Sequence, residues 1–361
     1  MEKAELRRLE EDGKNKQEAY EMRRKILEWL SPDDFEDTHD RHFGKRFGVT
    51  GQWLLEDPRF ENWRDETQSS LLWCYGARKS QLNIYLSIHA LILTYILYCS
   101  GLRKNYTSVC TCIAILKLLS VQHPITVEEG LQPDYPHTVQ TVRSLLTFIL
   151  SSLVVEHLSH YQLSMDTGTT FVYCNYTESR TTLTYMRLAL KQLCRAIQSF
   201  PDELQEVYSR CYSNHSQPKY DELRTVFLAI IQQFGRIFFV LDALDECTSE
   251  QRKGLCDFML SLVDPTGTSQ RIVKLFVTSR KESDIEQAFQ QKSIPTIEVE
   301  TAKVNSDIEV YVKAQIELRR TLKHKNSALK NKILNALTTK AGGMYVCLVI
   351  LMKEFLTGYK I

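Results

Sequence analysis

The run Arg236–Cys247, RIFFVLDALDEC, constrains this chain more than any other stretch. One basic residue is followed by five apolar ones, partly β-branched and aromatic, which run straight into Asp242. A run of this make-up fits a strand buried on both faces of a parallel sheet. Asp242, Asp245 and Glu246 then cluster at its carboxyl end, the end at which open α/β sheets place their ligand sites. In such a cluster one carboxylate can hold Mg²⁺ while a neighbour orients an attacking water. The plainer alternative is a core strand that ends in an acidic, solvated turn, and the same residues serve it.

Other apolar runs supply the partners such a strand needs. Leu71–Tyr75 (LLWCY), Thr169–Cys174 (TTFVYC), Lys274–Thr278 (KLFVT) and Thr296–Val299 (TIEV) each read as a strand. Helical periodicity marks Thr182–Ile197, Tyr220–Phe234 and the stretch from Ser306 to about Leu322. Strands alternating with helices of this length predict an α/β fold with a doubly wound parallel sheet. Upstream, Glu2–Leu30 mixes charged and apolar residues at helical spacing and is expected to form a helical arm, with Ser31-Pro32 as a stop or a new helix start. His39 and His42 flank Asp40, yet no third or fourth ligand is spaced nearby, so a solvated loop is expected there rather than a metal site.

Composition narrows the function classes. With 43% hydrophobic and 25% charged residues, the 361-residue chain has the make-up of a globular protein with room for about two domains. A formal charge of +1 offers no global attraction to nucleic acid or to acidic lipid. The ten cysteines include no Cys-x-x-Cys pair and lie among apolar segments, which fits free thiols in a reducing compartment. The charged amino terminus lacks the apolar core of a signal peptide, so a cytoplasmic location is expected.

Residues 78–148 stand apart. Only three acidic residues (Glu128, Glu129, Asp134) occur in these 71 positions, while the rest of the chain holds the other 41 of its 44. Within them Ile84–Leu102 carries no formal charge and has the length of a bilayer span, which leaves a membrane-tethered adaptor open. Basic pairs on both sides, Arg78-Lys79 and Arg103-Lys104, give it no orienting asymmetry, and His89 near its centre opposes insertion.

Eight phrases follow one another along the chain: KILEWLSPDDF (Lys25–Phe35), TGQWLL (Thr50–Leu55), LLWCYGA (Leu71–Ala77), SSLVVEHL (Ser151–Leu158), TTFVYCNYTE (Thr169–Glu178), FVLDALDEC (Phe239–Cys247), LFVTSR (Leu275–Arg280) and KAGGM (Lys340–Met344). In this order they resemble the nephrocystin-like N-terminal type of NACHT domain, from the STAND class of signalling P-loop NTPases in fungal NOD-like receptor-like proteins. The resemblance implies a pre-NACHT helical region over 1–65, a P-loop NTPase-like domain over 66–345 with an anomalous apolar insert at 78–148, and an aberrant tail over 346–361. It implies Mg²⁺ with ATP or GTP as cofactors, and protein partners or self-association through the NACHT-like domain. Asp242 looks like the Walker B acid that holds Mg²⁺, and Asp245 and Glu246 like the acids that follow it, Glu246 positioning water. Arg280 resembles a sensor for the terminal phosphate, although an arginine fork would equally cap a strand end over a carboxylate. Trp53 falls where relatives pack the base side of the nucleotide, and core packing suits it as well.

The phosphate-binding loop departs from that pattern. Relatives run from the LWCYGA strand directly into Pro-Gly-x-Gly-Lys-Thr and then into a helix reading like ILASLVVEHL. Here Gly76-Ala77 is followed by Arg78-Lys79-Ser80, and the helix text resumes near Ile149-Leu150-Ser151-Ser152. No stretch satisfies G-x-x-x-x-G-K-[ST]. Such a loop binds phosphate through successive backbone N–H groups, glycines permit its dihedrals, and the lysine and hydroxyl reach phosphate and Mg²⁺. Gly76, Lys79 and Ser80 could stand in only if the insert looped out after Ser80. The expected function is therefore a nucleotide-dependent signalling switch impaired in nucleotide binding, with a non-catalytic interaction module or truncated isoform as the alternative. The composition shift and the resumption of family text after it lead us to read residues 78–148 as translated intron or mispredicted sequence. Transcript sequencing at the locus is expected to find messages spliced free of these codons; messages that all retain them would overturn that reading.

Overall fold

The apolar runs form the strands of one sheet. The computed structural model describes residues 2–44, 50–76, 145–160, 166–264 except 177 and 179, 271–318, and a few further positions up to 335. Lys79, Ser80, the possible span 84–102, the KAGGM phrase and the tail 346–361 lie outside the described residues. Strands β1 (Ser70–Gly76), β2 (Thr167–Tyr173), β3 (Arg236–Asp242), β4 (Ile272–Arg280) and β5 (Thr296–Val299) form a five-stranded parallel sheet in the order β2-β3-β4-β1-β5. The registers run from Thr167 opposite Arg236 to Tyr173 opposite Asp242, and from Arg236 opposite Ile272 to Leu241 opposite Val277. Every residue of β3 after Arg236 is buried, as expected of a strand covered on both faces.

Helices supply the crossovers that parallel neighbours require. Before the sheet come α1 (Glu2–Leu30), α2 (Glu36–Phe43), α3 (Gln52–Leu55) and α4 (Pro58–Asp65); α5 (Leu145–Ser159) follows β1 in the described chain. Between β2 and β3 lie α6 (Thr182–Ala196), α7 (Asp202–Ser213) and α8 (Tyr220–Ile231). Then come α9 (Ser249–Leu262), α10 (Ser283–Gln290) and α11 (Thr301–Leu318). Helices α2, α3, α4, α7, α9 and α10 are additional to the sequence expectation. α10 spans only eight residues and buries Ile285 and Phe289, while the apolar stripe of α9, Leu255, Phe258, Met259 and Leu262, is confined to its second half behind a charged first half.

The chain divides into two compact units. In the first (1–43, 55–75 and 151–297), the arm and α6 cap each other. Arg23 reaches the end of α6 and donates to the carbonyls of Cys194 at 2.7 Å and Ile197 at 2.8 Å. In return Lys191 of α6 donates to the carbonyls of Ser31 at 2.9 Å and Asp33 at 3.0 Å, and Arg187 to that of Trp29. Basic groups thus satisfy the last carbonyls of both helices, where the helix dipole favours positive charge. The arm ends with α2, which changes the expectation for His39. That residue is helical and buried at 8% exposure, its Nδ1 lies 2.9 Å from the Tyr173 hydroxyl, and burial lowers its pKa against the pull of Glu156. A sequence window of charges hides such burial because the covering aromatics, Phe171 and Tyr173, come from a distant strand.

Gly235, at the entry to β3, leaves no room for a side chain. Its N–H donates to the Asp166 carbonyl at 2.8 Å and to Oδ1 at 2.6 Å, and a Cβ there would lie 1.9 Å from Oδ2. In the second unit (44–54, 76–150 and 298–361), Asp307 of α11 accepts from the Gly51 N–H and from Trp53 Nε1, both at 3.0 Å. Gly51 takes φ 82°, a conformation that glycine adopts without strain. Lys303 lies 4.9 Å above the Trp53 ring.

One charge in the sheet works against the fold. Lys274 of β4 is fully buried, donates to Ser70 Oγ at 2.9 Å, and is pushed by burial from 10.5 to about 8. A lysine whose folded pKa lies below its unfolded one destabilises increasingly as pH falls from 10.5 to about 8, and fully below that. Lys274→Met is expected to stabilise the protein at pH 7 by on the order of 2 kcal/mol, with the gain shrinking toward pH 10. Denaturant unfolding of both proteins across that range measures it.

Candidate functional site

The end of β3 delivers Asp242 into the protein rather than out of it. Its side chain is fully buried. Two hydroxyls meet one carboxyl oxygen: Thr278 of β4 donates to Oδ1 at 2.5 Å, and Ser151 of α5 donates to the same atom. Thr278 also accepts the Ala243 N–H at 3.0 Å and lies 3.4 Å from the Ser151 hydroxyl. The other carboxyl oxygen, Oδ2, is buried and has no hydrogen-bond partner. Burial pushes the Asp242 carboxyl up to about 7, the two hydroxyls oppose that rise, and the charges of Glu246 and Asp245 add to it.

Beyond Asp242 the backbone turns sharply. Ala243 has φ 55°, in the left-handed region, and Leu244–Glu246 form a single 3₁₀ turn. A non-glycine residue held there is a local strain that surrounding bonds must stabilise. The Thr278 hydroxyl on its N–H is one such bond; another is Glu246 N–H to the Ala243 carbonyl at 2.9 Å. The turn presents Asp245 to Arg280 at the end of β4. Arg280 donates through its backbone N–H to Oδ1 at 2.8 Å and through Nε to Oδ2 at 2.5 Å. Thus Arg280, expected either to sense phosphate or to cap a carboxylate, forms an ion pair with Asp245. Glu246 Oε2 accepts the Tyr176 N–H at 3.4 Å. Gly76 ends β1, and a side chain there would meet open space.

Two of the groups that define this site, Ser151 and Thr278, are not singled out by the sequence pattern, although both lie inside the family-like segments Ser151–Leu158 and Leu275–Arg280. The available signal was a hydroxyl residue in an otherwise apolar helix or strand, since a buried hydroxyl needs a partner. Next to the site the buried Cys174 donates its N–H to the Asp242 carbonyl at 3.0 Å, and the buried Cys247 follows the 3₁₀ turn. Burial pushes the Cys174 thiol up.

As a cation site, the arrangement offers one carboxylate oxygen without a partner and nearby hydroxyls. Among the described residues no group of three or more His, Cys, Asp or Glu is placed to hold a metal. Such a geometry suits a hard cation that keeps water and phosphate as its other ligands, as Mg²⁺ does, better than a protein-caged metal. Also among the described residues, no helix is long and apolar enough to cross a membrane.

The sheet defines an α/β protein of the kind in which ligands bind beyond the carboxyl ends of the strands. Within that class, residues 148–280 match the model of the family described as Nephrocystin 3, N-terminal. The match opens on α5 and closes on Arg280, so it contains Ser151, Asp242, Asp245, Glu246, Thr278 and Arg280 but not β1. No curated protein and no solved structure matches the chain.

The raised pKa of Asp242 makes a stability prediction. An acid whose folded pKa exceeds its unfolded 3.8 contributes fully only below that value, and the contribution is lost as pH rises to about 7. Asp242→Asn keeps an acceptor for both hydroxyls and cannot ionise. Its unfolding free energy is expected to gain on the parent from pH 4 to pH 7, reaching on the order of 2 kcal/mol, and to hold level above that. Urea unfolding in Mg²⁺-free buffer at successive pH values measures the difference.

Proposed function

We propose that this chain is a NACHT/STAND-type nucleotide-dependent signalling switch domain of a NOD-like receptor-like protein, impaired in nucleotide binding. The observation that carries the reading is Asp242 Oδ2, a buried carboxyl oxygen without a partner at the carboxyl end of a central parallel strand. Leaving such an atom unpaired costs free energy, and a Mg²⁺ ion there would recover it. Asp242 would hold the ion, with Ser151 as the neighbouring hydroxyl, and Glu246 would orient water. The similarity to the Nephrocystin 3 N-terminal family over 148–280 supports the same assignment. ATP or GTP would supply the phosphates, and nucleotide exchange or hydrolysis would shift the domain between two states.

Impairment follows from the sequence. Without G-x-x-x-x-G-K-[ST], the carboxylate half of the site lacks the backbone cradle that neutralises the phosphates. A second reading, a non-catalytic interaction module, is favoured by the Arg280–Asp245 pair, in which each charge has the other as its partner.

Calorimetric titration of the purified chain with MgATP and MgGTP separates the two. The switch reading expects weak, Mg²⁺-dependent binding, with a dissociation constant near about 1 mM, that Asp242→Ala abolishes. Binding indifferent to Mg²⁺ or to that substitution, or no binding at all, would leave the interaction module.

A further inference from the structure

We propose that His157 and Arg64 form a pH-sensitive latch between α5 and α4, closed while the imidazole is neutral and opened when it takes up a proton. The latch stands apart from the nucleotide reading, since it needs neither metal nor phosphate. Arg64 Nη1 lies 3.1 Å from His157 Nε2, and the chemistry of the two groups fixes the sense of that bond. A guanidinium has donors and no acceptor, so the imidazole nitrogen accepts. The ring is therefore neutral, with its proton on Nδ1. A proton arriving at Nε2 removes the acceptor and sets one N–H against another.

The charges around the ring do little to accommodate that proton. On α4, Asp65 supplies a carboxylate, but Arg64 already engages both of its oxygens, Nε to Oδ1 at 2.7 Å and Nη2 to Oδ2 at 2.6 Å. From β3, Arg236 donates to the Arg64 carbonyl at 3.2 Å and brings a second guanidinium to the same place. On α5 itself, His160 adds positive charge when protonated, while Glu156 lies 3.8 Å from His39 Nε2 of α2. The Phe60 ring, 6.1 Å from the imidazole, makes another side of the contact apolar.

Burial and then the Arg64 charge hold the His157 pKa below its ordinary 6.5, His160 adds to that fall, and Asp65 opposes it. A histidine whose folded pKa lies below its unfolded one contributes fully above 6.5, and the contribution is lost as pH falls from there through the folded value. The latch is thus closed at neutral pH and opens on the acid side. The same helix carries Ser151 to Asp242, so a proton taken up at His157 acts on an element of the acid site without touching the acid.

Amide hydrogen exchange of the full chain tests the latch, read by mass spectrometry at about pH 7.5 and about pH 5.5 and corrected for the intrinsic exchange rate. Protection over α4 and α5 is expected to fall several-fold at the lower pH, relative to α9. His157→Gln cannot ionise and keeps an acceptor for Arg64, so in that variant α5 should change no more than α9. In Arg64→Gln the amide can donate to a neutral imidazole and accept from a protonated one, so that profile should be level too. Asp242 and His39 are present in all three proteins, so the comparison isolates His157. Parent protection that does not fall, or a fall of the parent's size in either variant, would overturn the proposal. Each variant decides alone should the other not fold.

Discussion

A buried carboxyl group held by hydroxyls from two other elements organises this molecule. Asp242 ends β3, Thr278 lies near the end of β4, and Ser151 sits on α5, so one oxygen atom ties three segments far apart in sequence. An unpaired acid in that position would be expelled or would unfold its surroundings. Two donors on Oδ1 make burial tolerable, and the raised pKa favours the protonated form near neutrality, which lowers the charge to be buried. The same arrangement braces the left-handed Ala243, because the Thr278 hydroxyl that donates to the acid also accepts the alanine N–H. The acidic turn that follows takes its direction from that brace.

Parallel sheet and arm were legible in the sequence because their signals are local. β3 is a run of apolar residues with a carboxylate at its end, and β5 appears over the four residues read for it. The pairing of Arg280 with Asp245 was legible only as one of two options, since an arginine fork fits a phosphate and a carboxylate alike. The partner of Ser151 was not legible, although a hydroxyl in an otherwise apolar helix signals that it needs one. Its hydroxyl acquires meaning from Asp242, 91 positions away, and nothing in a helix of Leu, Ile and Val marks one serine as facing the sheet rather than solvent. His39 failed to show for the same reason, its burial being the work of aromatic residues on β2.

The arm adds polar capping to the burial of Ile26 and Leu30 at its carboxyl end. α1 is strongly charged, and most of its described residues before Ile26 are exposed. Its attachment lies at the end, where Arg23 and the carbonyls of Trp29 and Ser31 exchange bonds with α6. Reciprocal capping satisfies carbonyls that each helix would otherwise leave to water. Exposed ion pairs such as Arg195 with Glu36 add little beside it.

The acid site bears on how the chain accommodates its unusual composition between β1 and α5. Sixty-eight residues separate Gly76 from Leu145. Closure entropy rises by only about 0.6 kcal/mol for each doubling of a flexible loop, so extending a six-residue connection to this length costs about 2 kcal/mol. Contacts made beyond the gap can offset that cost: the buried Ser151–Asp242 bond, the apolar residues Leu153, Val154, Val155 and Leu158, and the Arg64–His157 contact at 3.1 Å. Placement of α5 therefore need not be transmitted through the connection from β1. It is fixed by what the helix meets on the sheet, and under the proposed nucleotide reading the carboxylate half of the site would be built by β3, β4 and α5, whereas a glycine-rich cradle would have to be built by the connection itself.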